Sequence, residues 1–143
     1  MIDPKDGSIR IDSPAMTITR DLTPELFLQS AVASIATTLN QNTPWSRYAF
    51  KPVTIHGESF AANACFKAGR LYSVHLAVMR PEFGTLWSDS SEEREMARKG
   101  FHDALLASVL GSGWRLQRFA WGKLYSEFDP KGGGSDIGVT YAT

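Results

Sequence analysis

A chain of 143 residues that is 43% hydrophobic and 21% charged has the size and composition of one domain with its own apolar core, which excludes a disordered or low-complexity protein. Fifteen Lys and Arg balance fifteen Asp and Glu, so there is no net field to hold duplex nucleic acid or an anionic membrane surface. Cys65 is the single cysteine, which excludes an intramolecular disulfide and a paired-cysteine metal or redox centre, and which fits a reducing compartment.

Residues 1–15 contain Pro4, Gly7 and Pro14 without a sustained period. They read as an N-terminal arm, flexible or weakly paired, with a short strand near Ile9 and Ile11. No apolar run of signal-peptide length follows, and no stretch approaches the ~20 apolar residues of a membrane span. A soluble, cytoplasmic protein is expected. Met16 to Arg20 alternates apolar and polar residues as a half-buried strand does.

Thr23, Pro24 and Glu25 form a helix start: the threonine can cap free amides, and a proline at the first helical position loses only an amide without a partner. Leu28, Val32, Ile35 and Leu39 follow at helical spacing and predict a helix over 24–39. Val32, Thr37 and Thr38 weaken its second half, because branched side chains lose rotamer freedom in a helix.

Three strand-like runs between Arg47 and Met79 meet at Gly57 and Gly69. A three-residue loop, Lys67-Ala68-Gly69 with Gly69 left-handed, would put Phe60, Ala62, Ala64 and Phe66 on one face with Tyr72, Val74, Leu76 and Val78. A two-residue loop would split these large groups between faces, so burial selects three. The opposite face then carries Ala61, Asn63, Cys65, Ser73, His75 and Ala77, small enough for close approach. In this register Cys65 faces Leu71 and His75 faces Ala61, too far apart for a Cys–His nucleophile pair.

A helix is expected from about Ser91 to Leu110, capped by Ser90 with Glu93 or by Asp89 with Glu92, and ended by Gly111. Ala97, Phe101, Leu105 and Val109 make its apolar stripe. Glu95 and Lys99 are expected to pair on its wet side, and His102 and Asp103 to lie on the surface. Beyond it, Phe119, Trp121 and Tyr125 are expected to share a face of a long hairpin with Ile137, Val139 and Tyr141.

Most motif-like features have plain explanations. The glycines at 132–134 precede a strand, whereas a phosphate loop needs a following helix N-terminus, so a hairpin loop is expected. His56-Gly57-Glu58 echoes the H-x-E of zinc deaminases but lacks their paired cysteines, and reads as a tight turn. The acidic group of Asp89, Glu92, Glu93 and Glu95 suits a helix start. No metal site and no cofactor motif remain.

The chain runs S-E-E-R-E-M-A-R-K from Ser91, has His102-Asp103, and continues from Trp121 as W-G-K-L-Y-S-E-F-D-P-K-G-G-G-S-D-I-G-V-T-Y. In this C-terminal part it resembles a group of small bacterial α+β proteins. The resemblance implies a bacterial origin and an α+β fold, and carries over no functional residue.

The expected architecture is a single α+β domain, residues 1–143, with a mainly antiparallel sheet of five or six strands and two helices packed on one face. No nucleophile, base and orienter can be placed together from sequence. This favours a non-enzymatic protein-binding domain, such as an immunity-type inhibitor or a small adaptor or chaperone. Trp121 and Tyr125 are its candidate partner-binding residues, because such rings are apolar at one end and hydrogen-bonding at the other. The alternative is a small-ligand or enzymatic site on the small-residue face, using Asn63, Cys65 and His75. A third reading is a structural subunit that self-associates through a strand edge.

Overall fold

The computed structural model describes residues 1–84, 90–111, 113–114 and 118–142. Ile9–Ile11 (β1) and Met16–Ile18 (β2) pair as a small antiparallel sheet. After the short helix Pro24–Leu28 (α1), the strands Ala36–Asn40 (β3), Trp45–Ile55 (β4), Glu58–Lys67 (β5) and Arg70–Val78 (β6) form an antiparallel meander. Helix Glu92–Leu110 (α2) follows, and the hairpin of Gly122–Asp129 (β7) and Gly134–Tyr141 (β8) completes a six-stranded sheet in the order β3-β4-β5-β6-β8-β7. This is the α+β architecture expected from the sequence. No helix among the described residues is long and apolar enough to cross a membrane.

One face of the sheet carries the core, and both helices lie on it. Phe27 of α1 places its ring 5.0 Å from Tyr48, 5.3 Å from Phe50 and 6.1 Å from Phe66. His102 of α2 stacks on Phe60 at 6.5 Å. The N-terminal residues, read from sequence as an arm, insert Ile2, Ile9 and Ile11 into this same core.

Two hairpin turns set the register of the central strands. His56-Gly57 joins β4 to β5 and Ala68-Gly69 joins β5 to β6, with φ of 52° and 78° in both turns. Positive φ at both central residues gives the turn whose twist matches that of paired strands. The loop at Gly69 therefore has two residues, not the expected three, although Gly69 is left-handed as anticipated. The burial argument failed because it assumed a regular ladder. Cys65 pairs with Ser73 while Phe66 pairs with Leu71, so Tyr72 is an extra residue bulged out of β6. That bulge returns Val74, Leu76 and Val78 to the face of Phe60, Ala62 and Ala64. It leaves Tyr72 exposed, with its ring 5.3 Å from Trp45.

The expected helix over 24–39 stops at Leu28. Thr23 caps it as anticipated, its hydroxyl accepting the Leu26 N–H at 3.2 Å. Ala36, Thr37 and Thr38 instead pair with Phe50, Ala49 and Tyr48 of β4. The branched residues that weakened the helix suit this edge strand, and the presumed stripe residues Leu28 and Leu39 are exposed.

Helix α2 begins where expected and ends at Gly111 with φ 91°, but its cap is Ser91, whose hydroxyl accepts the Arg94 N–H at 3.1 Å, and not the expected Ser90, which donates instead to the Gly133 carbonyl at 3.4 Å. The alternative cap, Asp89, lies outside the described residues. The buried face of α2 is rotated from the expected one and carries Glu95, His102, Leu105 and Leu106. Phe101 is half-buried at its margin, 6.0 Å from the Phe83 ring. Glu95 pairs with the Arg98 guanidinium rather than with Lys99, and accepts the Ser135 N–H at 2.9 Å. Lys99 pairs with Asp103 at 2.8 Å. His102 is likewise no surface residue: it is fully buried, because its ring supplies an acceptor for a backbone N–H of the neighbouring strand.

Candidate functional site

The face of the sheet opposite the core and the helices is concave and open. Alternation along β5 and β6 puts Ala61, Asn63, His75 and Ala77 there, and along β8 and β7 it puts Asp136, Gly138, Tyr125 and Glu127 beside them. Together with Ala49 and Lys51 of β4, most of these side chains line a groove of about 730 Å³. The Asp129-Pro130 loop closes one end, and Ile35 and Thr37 border the side at β3.

His75 is the polar centre of the groove. Its Nδ1 lies 3.0 Å from Oδ2 of Asp136. An ionised carboxylate at that distance accepts the Nδ1 proton, which fixes the neutral ring as the tautomer with a lone pair on Nε2. Nε2 has no hydrogen-bond partner among the described residues. The two side chains are 34% and 39% exposed, so the pair is open to solvent.

Tyr125 forms a wall. It and His75 both flank Gly138 in the ladder, and the Tyr125 ring leans over that glycine to stand 6.3 Å from the imidazole at 67°. A side chain at position 138 would fall inside the ring. Burial pushes the Tyr125 hydroxyl above its usual range, opposed by a hydrogen bond with the Thr140 side chain. Asn63 lies directly across from His75 on β5, and its carboxamide lines the same groove.

The sequence-predicted site residues separate. Asn63 and His75 meet in the groove, as paired residues rather than two rungs apart. Cys65 is buried two rungs away opposite Ser73, outside the groove lining, where Arg47 Nη2 lies 3.9 Å from its sulfur. Trp121 and Tyr125 do not share a face. Trp121 is only 3% exposed, stacked on Phe119 at 4.8 Å and donating from Nε1 to the Pro4 carbonyl at 2.9 Å. The expected alternation breaks because Phe119 and Gly122 bond each other across a tight turn before β7 starts. Leu124 then takes the core face and Tyr125 the groove face.

Asp136, Glu127 and the groove role of Tyr125 were missed from sequence. The S-D-I-G-V-T-Y alternation did carry a signal, since Asp136, Gly138 and Thr140 must face away from Ile137, Val139 and Tyr141. Only the pairing of β8 with β6 brings that face to His75. Among the described residues no group of three or more His, Cys, Asp or Glu can hold a metal ion. No family model, curated protein or solved structure matches the chain.

Proposed function

We propose that this domain binds a small molecule on the small-residue face of its sheet. One observation carries the reading: a groove of about 730 Å³ in which His75, Asn63, Asp136 and Tyr125 converge over a floor of alanines. Small-molecule sites measure roughly 300–1,000 Å³ and combine an apolar surface with a few converging polar groups. The helices and most of the core among the described residues are on the other face. The protein-binding reading of the hairpin is left with Tyr125 alone, because Trp121 is held in the core.

The test is amide chemical-shift mapping with a library of neutral aromatic and aliphatic fragments. Binding in the groove shifts Ala61, Asn63, His75, Ala77 and Gly138 together and leaves β1 and α1 unmoved. Ala61→Trp, which fills the floor, abolishes those shifts while the fold persists. Fragments that shift no groove residue, or that bind Ala61→Trp unchanged, would reject the proposal.

A further inference from the structure

This inference rests on the groove being a ligand site, and it names the chemistry there. His75 has a carboxylate on Nδ1 and a free lone pair on Nε2, which is the arrangement of an oriented general base. Asn63, directly across the ladder, offers a carboxamide donor that no side-chain hydrogen bond engages among the described residues. We infer that the groove hydrolyses small neutral carboxylic esters, with water as nucleophile, His75 as the base and Asp136 as its positioning residue.

The surroundings narrow the reaction. Among the described residues, Cys65 and Thr140 lie outside the lining, and the Ser135 hydroxyl donates to the Glu95 carbonyl at 2.6 Å under α2. The pair is open to solvent, so a water molecule can reach it. Water is thus both available and the nucleophile that remains. Glu127, Asp129 and Asp136 outnumber Lys51 in the lining, which disfavours anionic substrates. The flat floor of Ala49, Ala61 and Ala77 suits a short apolar acyl chain.

The step balances without a further reactant. Nε2 takes a proton from water as the water oxygen bonds to the ester carbonyl carbon, and the carbonyl electron pair moves onto oxygen, where the Asn63 amide donates. The tetrahedral species then collapses. Its bond to the leaving oxygen breaks, that oxygen takes the proton from Nε2, and an acid and an alcohol result with His75 restored.

The experiment follows hydrolysis of 4-nitrophenyl butyrate, with free imidazole at equal concentration as the reference. Butyranilide, an unreactive neutral analogue, is titrated in parallel by amide shifts. Expected are saturable turnover above the imidazole rate, a loss of about 100-fold in His75→Gln, within the usual range for removing a general base, and a reduced kcat at unchanged KM in Asp136→Asn. Melting curves establish that both variants fold. A rate no greater than that of imidazole, a rate indifferent to His75→Gln, or an unchanged kcat in Asp136→Asn overturns the inference. If butyranilide still shifts the groove amides in that case, hydrolysis alone fails and the ligand site stands; if it shifts none, both fall.

Discussion

The backbone N–H of Val78 donates to Nε2 of His102 at 3.1 Å, across the interface between the last residue of β6 and the middle of α2. The bond requires an unprotonated Nε2, so the folded state holds this histidine neutral. Burial, reinforced by the positive charge of Arg98, pushes its pKa down to about 4 from 6.5. Above pH 6.5 the ring is neutral folded or unfolded and pH has no effect through it. Between 6.5 and 4 only the unfolded chain takes up the proton, so stability falls as pH falls, and the loss levels off below 4 at roughly 3 kcal/mol. His102→Gln keeps an acceptor and removes the titration. Urea unfolding across this window should show a flatter pH dependence in the variant; an unchanged slope would reject the assignment to His102.

Trp121 tests the packing of the N-terminal residues. Its ring is buried against Phe119 and Tyr141, with Nε1 bonded to the Pro4 carbonyl, so Trp121→Ala removes a large buried side chain together with that bond. The expected cost is about 3–5 kcal/mol by urea denaturation. Fragment binding in the groove should survive in the molecules that remain folded, since the ring is not part of the groove lining. A variant of normal stability would mean that the ring contributes nothing to the core.

Gly69→Ala tests the turn between β5 and β6. An added Cβ meets nothing within 4 Å, so any cost comes from φ of 78° alone. About 1 kcal/mol is expected. The same change at Gly57, with the same φ and the same open surroundings, should cost a similar amount. A difference above ~1 kcal/mol between the two would show that backbone strain is not the common cause.

Much of this fold was legible because side-chain alternation depends only on parity. Val74, Leu76 and Val78 were assigned to the correct face even though the register was wrong, since the two-residue turn and the bulge at Tyr72 together shift their ladder by an even number; Tyr72 itself was misplaced, because it is the bulged residue. The register itself was not legible: a bulge leaves no mark in the pattern when the extra residue is as bulky as its neighbours. Leu28, Val32, Ile35 and Leu39 fit a helical period, but strand β4 offers Ala36 to Thr38 a ladder that no local pattern encodes. His102 was read as a surface residue beside Asp103, whereas its role depends on Val78, 24 residues earlier. Half of the groove was visible, because His75 and Asn63 lie on one hairpin. Asp136 was not, because β8 joins β6 only after the whole of α2 has intervened.

Gly138 links that long-range pairing to the wall of the groove. It pairs with His75 on one side and Tyr125 on the other, and the Tyr125 ring occupies the space that a Cβ would need. Its φ is ordinary, so backbone strain plays no part and only the ring opposes a side chain there. Gly138→Ala must therefore displace Tyr125, at an overpacking cost of about 1–3 kcal/mol. Tyr125→Ala alone should cost less than truncating a core aromatic, because the ring is half-buried. In the double variant the clash is gone, and alanine at 138 should be neutral or slightly favourable, since a glycine within a strand is itself unfavourable. The cycle thus predicts a coupling of about 1–3 kcal/mol between two residues that form one interaction. Additive effects would mean that the ring does not lie over Gly138. The groove supplies a second readout: displacing Tyr125 removes a wall, so fragments that shift His75 in the native protein should bind Gly138→Ala more weakly even where its stability is restored by lowering the temperature.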